Sequence, residues 1–197
     1  MKPVLCMITA GRHAARSDDA SLVRAVQDAA RAGAHLIQIR EHDLEAGHLA
    51  RLVRACLQAV VGCRARVLVN DRLDVALATG AHGVHLRETS VPARDARAIA
   101  PHGFLIGRSV HNVDDAARLG GEGCVDYLIF GPVFPTPSKP GAGAAGLATL
   151  RLAAQSTTVP VLAVGGVDHA NAAAIAETGA AGLAAIRWWS AGGPSRR

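Results

Sequence analysis

Val67-Leu68-Val69-Asn70-Asp71-Arg72-Leu73-Asp74-Val75-Ala76-Leu77-Ala78-Thr79-Gly80-Ala81-His82-Gly83-Val84-His85-Leu86 is the stretch that decides the fold. Val67 to Asn70 is a short β-branched run, Leu73 to Ala78 reads as helix from its alanine content and apolar spacing, and Gly83 to Leu86 is a second strand run. A strand, a helix and a strand in such close succession pair in parallel, with the helix covering the outside of the sheet.

The same alternation extends in both directions. Strand runs occur at Val4 to Thr9 and Leu36 to Arg40 before this unit, and at Leu105 to Ser109, Tyr127 to Gly131, Val159 to Gly165 and Leu183 to Ile186 after it. Helical stretches fall between them at Ala20 to Arg31, Leu44 to Val61, Pro92 to Ala100, Val113 to Leu119, Ala148 to Ala154 and Ala170 to Thr178. Eight strand runs and seven helices predict an α/β fold, a (β/α)8 TIM barrel. Start signals agree: Ser17, Asp18 and Asp19 precede the first helix, Pro92 opens the fourth, and Asn112 and Asp168 are cap candidates for the fifth and seventh. A doubly wound sheet would want a glycine-rich fingerprint after its first strand, where Thr9-Ala10-Gly11-Arg12 stands instead.

The chain has 197 residues, 50% hydrophobic, 19% charged and 3% aromatic, enough for one well-buried core. Barrels of this kind usually take about 250 residues, so the loops are tight. After the last strand run comes Arg187-Trp188-Trp189-Ser190-Ala191-Gly192-Gly193-Pro194, whose Gly-Gly-Pro halts a helix. The eighth helix is therefore expected to be truncated or missing, giving a single domain over 1–187 and a short tail over 188–197. The two Trp rings or a neighbouring subunit, as in a homodimer, are the candidates to cover the last strand.

The net charge of +5 is scattered rather than clustered, and one Tyr and three Phe leave few rings for stacking bases, which argues against nucleic acid as a partner. No apolar run approaches the roughly 18 residues of a membrane span and the start has no signal-peptide layout, so a cytoplasmic protein away from membranes is expected. Cys6, Cys56, Cys63 and Cys124 form no Cys-x-x-Cys pair and no zinc spacing, and read as buried free thiols.

In such barrels the reacting groups come from strand C-termini and the loops that follow. The polar residues there are Gln38 and Arg40, Asn70 and Asp71, Arg87 and Glu88, Ser109 and His111, Thr136 and Lys139, and Gly165 with Gly166. Gly165-Gly166 offers free backbone N–H groups for a phosphate, unless the pair is only a tight turn. Gln38 and Arg40 share one strand face, where the guanidinium would meet an anion or pair with Glu41 or Asp43. The turn-rich segment from Gly131 to Gly143 carries Lys139 and reads as a mobile segment over one mouth. His111 has the chemistry of a proton carrier, although a lone His is more often a helix-start or rim residue than a catalyst. Asp71 offers a carboxylate to Mg²⁺ or to a salt bridge with Arg72 or Arg40. His82 and His85, three apart on a strand, face opposite sides and read as structural.

Gln38-Ile39-Arg40-Glu41, Asn70-Asp71-Arg72, Gly83-Val84-His85-Leu86, Gly107-Arg108-Ser109-Val110-His111, Phe130-Gly131-Pro132-Val133-Phe134-Pro135-Thr136 and Val164-Gly165-Gly166-Val167 together resemble the thiamine phosphate synthase/TenI superfamily, in order along nearly the whole chain. The synthase branch joins a pyrimidine pyrophosphate to a thiazole phosphate, with Mg²⁺ carrying the pyrophosphate away. Gln38, Arg40, Asn70, Asp71, Ser109, Thr136, Lys139 and Gly166 match its pattern. Four positions depart: a Lys is His42, the Gln and Asp of a Gly-Gln-x-Asp segment are Glu88 and Ser90, and a Ser near the last strand's end is Ala185. Losing the second carboxylate weakens a magnesium site most.

On those departures the sequence is read as nearer the TenI-like branch, a thiazole tautomerase that aromatises a carboxythiazole phosphate. The resemblance then implies His111 as acid/base, substrate contacts from Gln38, Arg40, Asn70, Ser109, Thr136 and Lys139, phosphate on Gly165 and Gly166, and no cofactor. The alternatives are a thiamine phosphate synthase with Mg²⁺ on Asp71, and a non-catalytic regulatory protein that binds a thiazole or thiamine phosphate.

Overall fold

A computed structural model describes residues 3–11, 18–136 and 143–189. The chain runs β1 (Val4–Ile8), α1 (Asp19–Arg31), β2 (Leu36–Ile39), α2 (Ala46–Ala59), β3 (Arg66–Asn70), α3 (Leu73–Thr79), β4 (Gly83–Leu86) and α4 (Ala93–Ile99). It continues through β5 (Leu105–Val110), α5 (Val113–Gly121), β6 (Tyr127–Phe130), α6 (Gly146–Gln155), β7 (Val161–Val164), α7 (Ala172–Ala176) and β8 (Gly182–Ala185). Neighbouring strands pair in sequence order, and β8 returns to β1 in parallel, with Val4 opposite Gly182. The sheet is closed, so the fold is the (β/α)8 barrel and not the open alternative.

Strand pleating divides each strand between two cores. The lumen is filled by Cys6, Ile8, Leu36, Leu68, Tyr127, Ile129, Leu162 and Ala184. The alternate residues, among them Ile37, Ile39, Val67, Val69, Val84 and Leu128, face the helices and meet Val26, Leu49, Leu52 and Leu150. Gly107 supplies the room that Tyr127 needs, since a Cβ there would stand 2.0 Å from its Cζ.

The N-terminal end of the barrel is tied by one recurring device. His35, just before β2, accepts at Nδ1 from the Leu5 N–H (3.1 Å); His82, before β4, accepts from the Val67 N–H (2.9 Å). Asp126, before β6, accepts from the Ile106 N–H (2.6 Å). Each side chain satisfies a strand-opening donor that the ladder leaves unpaired, and His82 proves structural in this sense.

Several element ends differ from the sequence reading. Strand β7 begins after Pro160, which has no N–H to donate, and ends at Gly165, whose φ of 91° turns the chain out of the sheet. Helix α7 starts two residues later than expected because the Asp168 carboxylate accepts from the Ala170 and Asn171 N–H groups and makes a turn there, not a helix cap. Asp18 and Asn112 do cap α1 and α5, accepting from the Ala20 and Asp115 N–H groups; Ser17 lies outside the described residues.

Among the described residues no helix follows β8. The outer face of that strand, at Leu183 and Ala185, is covered by the buried ring of Trp188, which stacks on His169 with ring centroids 3.8 Å apart. Cys6 and Cys56 are buried free thiols as expected, their pKa values pushed up to about 12 by burial. Cys63 and Cys124 are only partly buried, a departure from that expectation. Among the described residues no helix is long and apolar enough to cross a membrane.

Candidate active site

The strand C-termini open into one cavity of about 660 Å³. Its floor is the last inward-facing residue of successive strands: Ile8 from β1, Gln38 from β2, Asn70 from β3, His85 from β4, Ser109 from β5, Ile129 from β6, Val164 from β7 and Ala184 from β8. Its walls include Arg40, His42, Arg87, Glu88, His111, Thr136, Gly165, Gly166 and Arg187. Eight residues singled out from sequence, Gln38, Arg40, Asn70, Ser109, His111, Thr136, Gly165 and Gly166, thus meet around one space. Lys139, and the half of its loop over 137–142, lie outside the described residues. The preceding half is fastened to β7 by the Val133 and Phe134 N–H groups, which donate to the carbonyls of Val164 and Gly165 (2.8 and 3.0 Å).

Gln38 is 2% exposed, yet its Nε2 has no hydrogen-bond partner. A buried amide donor left unpaired costs about 1–3 kcal/mol, so this nitrogen is set for an acceptor that a ligand brings. Arg40 is not paired with Glu41 or Asp43: among the described residues its side chain makes no ion pair, while its backbone N–H donates to Thr9 Oγ1 (2.8 Å). Gly11, at φ 71°, lets the guanidinium lie close, for a Cβ there would stand 2.7 Å from Nη1. Desolvation, and then the charge of Arg87 opposing the help of Glu41, lowers the Arg40 pKa. His42 is lowered by desolvation and by the charges of Arg40 and Arg87.

Across the barrel, Gly165 and Gly166 bend the chain at φ 91° and 63°. Their N–H groups donate to no acceptor among the described residues. A side chain at Gly166 would strike Phe134 Cβ (2.7 Å) and Pro135 O (2.6 Å).

His111 points Nδ1 at Gly131 O (2.5 Å), so Nδ1 carries the proton and Nε2, 3.7 Å from Glu88, faces the mouth. His85, read from sequence as structural, instead floors the cavity. Its Nδ1 meets the Tyr127 hydroxyl (3.0 Å) and its Nε2 meets Ser109 Oγ (2.9 Å). Complete burial, helped by the charge of Arg108, lowers its pKa to about 3 and keeps the ring neutral, with one N–H and one lone pair for these two partners. The missed signal is the parity of β4: Gly83 faces the lumen, and His85 two residues on must do the same.

Asp71 is not in the cavity wall. At φ 64° it occupies a left-handed conformation that a non-glycine residue adopts with strain. Its partner is neither Arg40 nor Arg72, which bonds Asp74 (2.9 and 2.6 Å). Arg87 donates to Asp71 Oδ2 from Nε (2.9 Å) and Nη2 (2.5 Å), and Ser90 Oγ donates to Oδ1. Both carboxylate oxygens are thereby engaged. Among the described residues no three His, Cys, Asp or Glu side chains come together in a way that could hold a metal. The Mg²⁺ that the resemblance implies for a synthase does not fit this donor set.

A family description, thiamine monophosphate synthase, matches residues 5–188. The chain belongs to the thiamine monophosphate synthase family. It is 42% identical over 154 residues to a thiamine-phosphate synthase of Methanocella arvoryzae, covering 78% of this chain and 72% of the relative. It is 41% identical over 179 residues to a thiamine-phosphate synthase of Methanoculleus marisnigri, covering 90% and 82%. Among solved structures, thiamine phosphate pyrophosphorylase from Pyrococcus furiosus superposes with a TM-score of 0.81 at 34% identity, covering 93% of this chain and 85% of that one. These likenesses overturn the tautomerase expectation and its isomerase class: the family resemblance holds, but the relatives carry the synthase name.

Proposed function

We propose that the protein is a thiamine-phosphate synthase, a transferase that joins a pyrimidine pyrophosphate to a thiazole phosphate. The observation that carries this reading is that two separate groups of unpaired or cationic donors, each suited to an anion, line one cavity. Gly165 and Gly166 offer unpaired N–H groups at the end of β7, while Arg40 and Arg87 stand beyond β2 and β4. In an eight-stranded closed barrel β3 lies across from β7, so the two sites face each other over the floor. The single carboxylate of a carboxythiazole phosphate would need no more than one guanidinium opposite the glycines, whereas the two guanidinium groups of Arg40 and Arg87 suit the higher charge of a pyrophosphate. The cavity volume lies within the range of about 300–1,000 Å³ common for small-molecule sites.

The coupling breaks the bond between the pyrimidine methylene carbon and the pyrophosphate oxygen, whose electron pair leaves with pyrophosphate. The lone pair of the thiazole ring nitrogen forms the new C–N bond. No proton changes carbon and no electron is lost, so His111 serves as a wall and a polar contact in place of the acid/base role first expected of it. The thiazole phosphate sits on Gly165 and Gly166, and the guanidinium groups receive the departing charge. Gln38 Nε2 and Asn70 face the heteroaromatic rings from the floor, and Ser109, braced by His85, stands beside them. Thr136, on the segment that follows β6, completes the contact set among the described residues. The cavity would hold the two substrates end to end, which is the entropic part of the catalysis.

Incubating the purified protein with hydroxymethylpyrimidine pyrophosphate and thiazole phosphate tests the reading. Thiamine phosphate identified by mass, with one pyrophosphate released per product, is the expected result. Binding of thiazole phosphate without product, with and without Mg²⁺, overturns it.

A further inference from the structure

Three cationic or potentially cationic side chains, Arg40, His42 and Arg87, crowd one side of the cavity wall, where Glu88 also lies and Glu41 and Asp43 offset part of their charge, while the Asp71 carboxylate is held out of the wall. Arg87 uses Nε and Nη2 on Asp71 Oδ2, and Ser90 Oγ takes Oδ1. Nη1 of Arg87 has no partner among the described residues, and Arg87 itself lines the cavity. The carboxylate thus acts as an anchor for a guanidinium. The strained backbone of Asp71 is held by three hydrogen bonds: its N–H donates to His85 O (2.8 Å), Arg72 N–H donates to Asn70 O (2.7 Å), and Leu73 N–H donates to Asp71 O (2.9 Å). The loop bearing Arg87 and Ser90 is stapled from behind by Arg108, which donates to the carbonyls of Val91 (2.7 Å) and Glu88 (3.0 Å).

From this geometry we propose that the protein binds a pyrophosphate group through a metal-independent clamp, in which the Asp71-anchored guanidinium of Arg87, together with Arg40, occupies the role that a divalent cation would otherwise fill. A planar fork fixed on one edge by a carboxylate presents its other edge in a set direction, as a coordinated ion does, and matches phosphate oxygens by charge-assisted hydrogen bonds. Mutual repulsion between Arg40, His42 and Arg87 is relieved when an anion enters, which favours a multiply charged ligand over a monophosphate. In the proposed reaction this clamp holds the leaving pyrophosphate, so the inference rests on the synthase reading for its place in catalysis but not for the binding itself.

Inorganic pyrophosphate is the probe, titrated calorimetrically into the full chain in excess chelator and again in MgCl2. Saturable binding in chelator is expected, with Arg87→Met weakening it at least tenfold and Arg87→Lys recovering part of the loss. Far-ultraviolet dichroism and thermal melting of each variant exclude misfolding as the cause. The paired substitution Arg87→Gly with Ser90→Asp frees Asp71 and supplies a second carboxylate, and is expected to make binding depend on Mg²⁺. Binding by the parent chain only when Mg²⁺ is present, or unchanged binding by Arg87→Met, overturns the clamp. The synthase reading fails separately: if no thiamine phosphate forms under any condition while pyrophosphate still binds in chelator, the clamp stands and the coupling does not.

Discussion

Gln38 and His85 are both buried polar side chains on the barrel floor, and they differ in whether the protein satisfies them. Gln38 Nε2 has no acceptor, so Gln38→Leu is expected to leave the unbound protein equally stable or up to about 1–2 kcal/mol more stable, while raising the KM for substrate at least tenfold. Denaturant titration and steady-state kinetics check the two halves, and a variant that loses stability without loss of affinity contradicts the assignment. His85 is satisfied on both nitrogens and neutral. Its pKa falls from an ordinary 6.5 to about 3 in the folded chain, so between those values the unfolded chain binds the extra proton. Stability from this group is full above about pH 6.5 and drains as the pH falls toward 3, with a slope of up to about 1.4 kcal/mol per pH unit. In His85→Gln that component of the acid limb should vanish when unfolding free energies are compared from pH 6.5 to 4.5; an unchanged slope would mean the ring is not neutral. The sequence showed Gln38 plainly, because it alternates with apolar neighbours on a strand. It hid the part played by His85, whose direction is set by Gly83 and Tyr127 rather than by its own neighbourhood. It also hid the Asp71–Arg87 pair, sixteen positions apart and joined only by the closing of β3 on β4.

At the scale of elements, strands were legible because short apolar runs between alanine-rich helices have one economical arrangement, and their ends were not, because single atoms set them. Pro160 lacks a donor, and Asp168 captures two N–H groups that a helix would have used. The pairing of β5 with β6 carries a stricter demand. Gly107 lies opposite Tyr127 in the ladder, and the lumen at that level has room for the phenol only while position 107 has no side chain. Gly107→Ala should cost about 1–3 kcal/mol by overpacking, and Tyr127→Leu in the same chain should recover part of that loss while each single change is destabilising. Chemical unfolding of the four members of the cycle measures the coupling. Strict additivity would show that the ring and the glycine do not share the space.

For the molecule as a whole, closure was legible from the count of strands and their regular alternation with helices, but what finishes the cylinder was not. Helices cover the earlier strands from outside, and among the described residues nothing helical follows β8. Leu183 and Ala185 would then face solvent in the one place where the barrel is sealed, next to β1. Trp188 resolves this: its ring, 7% exposed, packs over both residues and stacks on His169 from the turn ahead of α7. One aromatic side chain with large apolar area thus does the work of a helix face. Because β8 joins β7 to β1, loosening it opens the sheet at two ladders at once, and the penalty should appear in global unfolding rather than as a local event. Trp188→Ala is expected to lower the unfolding free energy by about 3–5 kcal/mol, the usual cost of deleting a buried large aromatic side chain. His169→Ala, which removes only the stacked neighbour, should cost about 0.5–1.5 kcal/mol. Denaturant unfolding followed by both fluorescence of Trp189 and far-ultraviolet dichroism checks this, with coincident transitions for the parent. A loss below about 1 kcal/mol for Trp188→Ala would show that some other part of the molecule, or a second copy of it, seals the barrel.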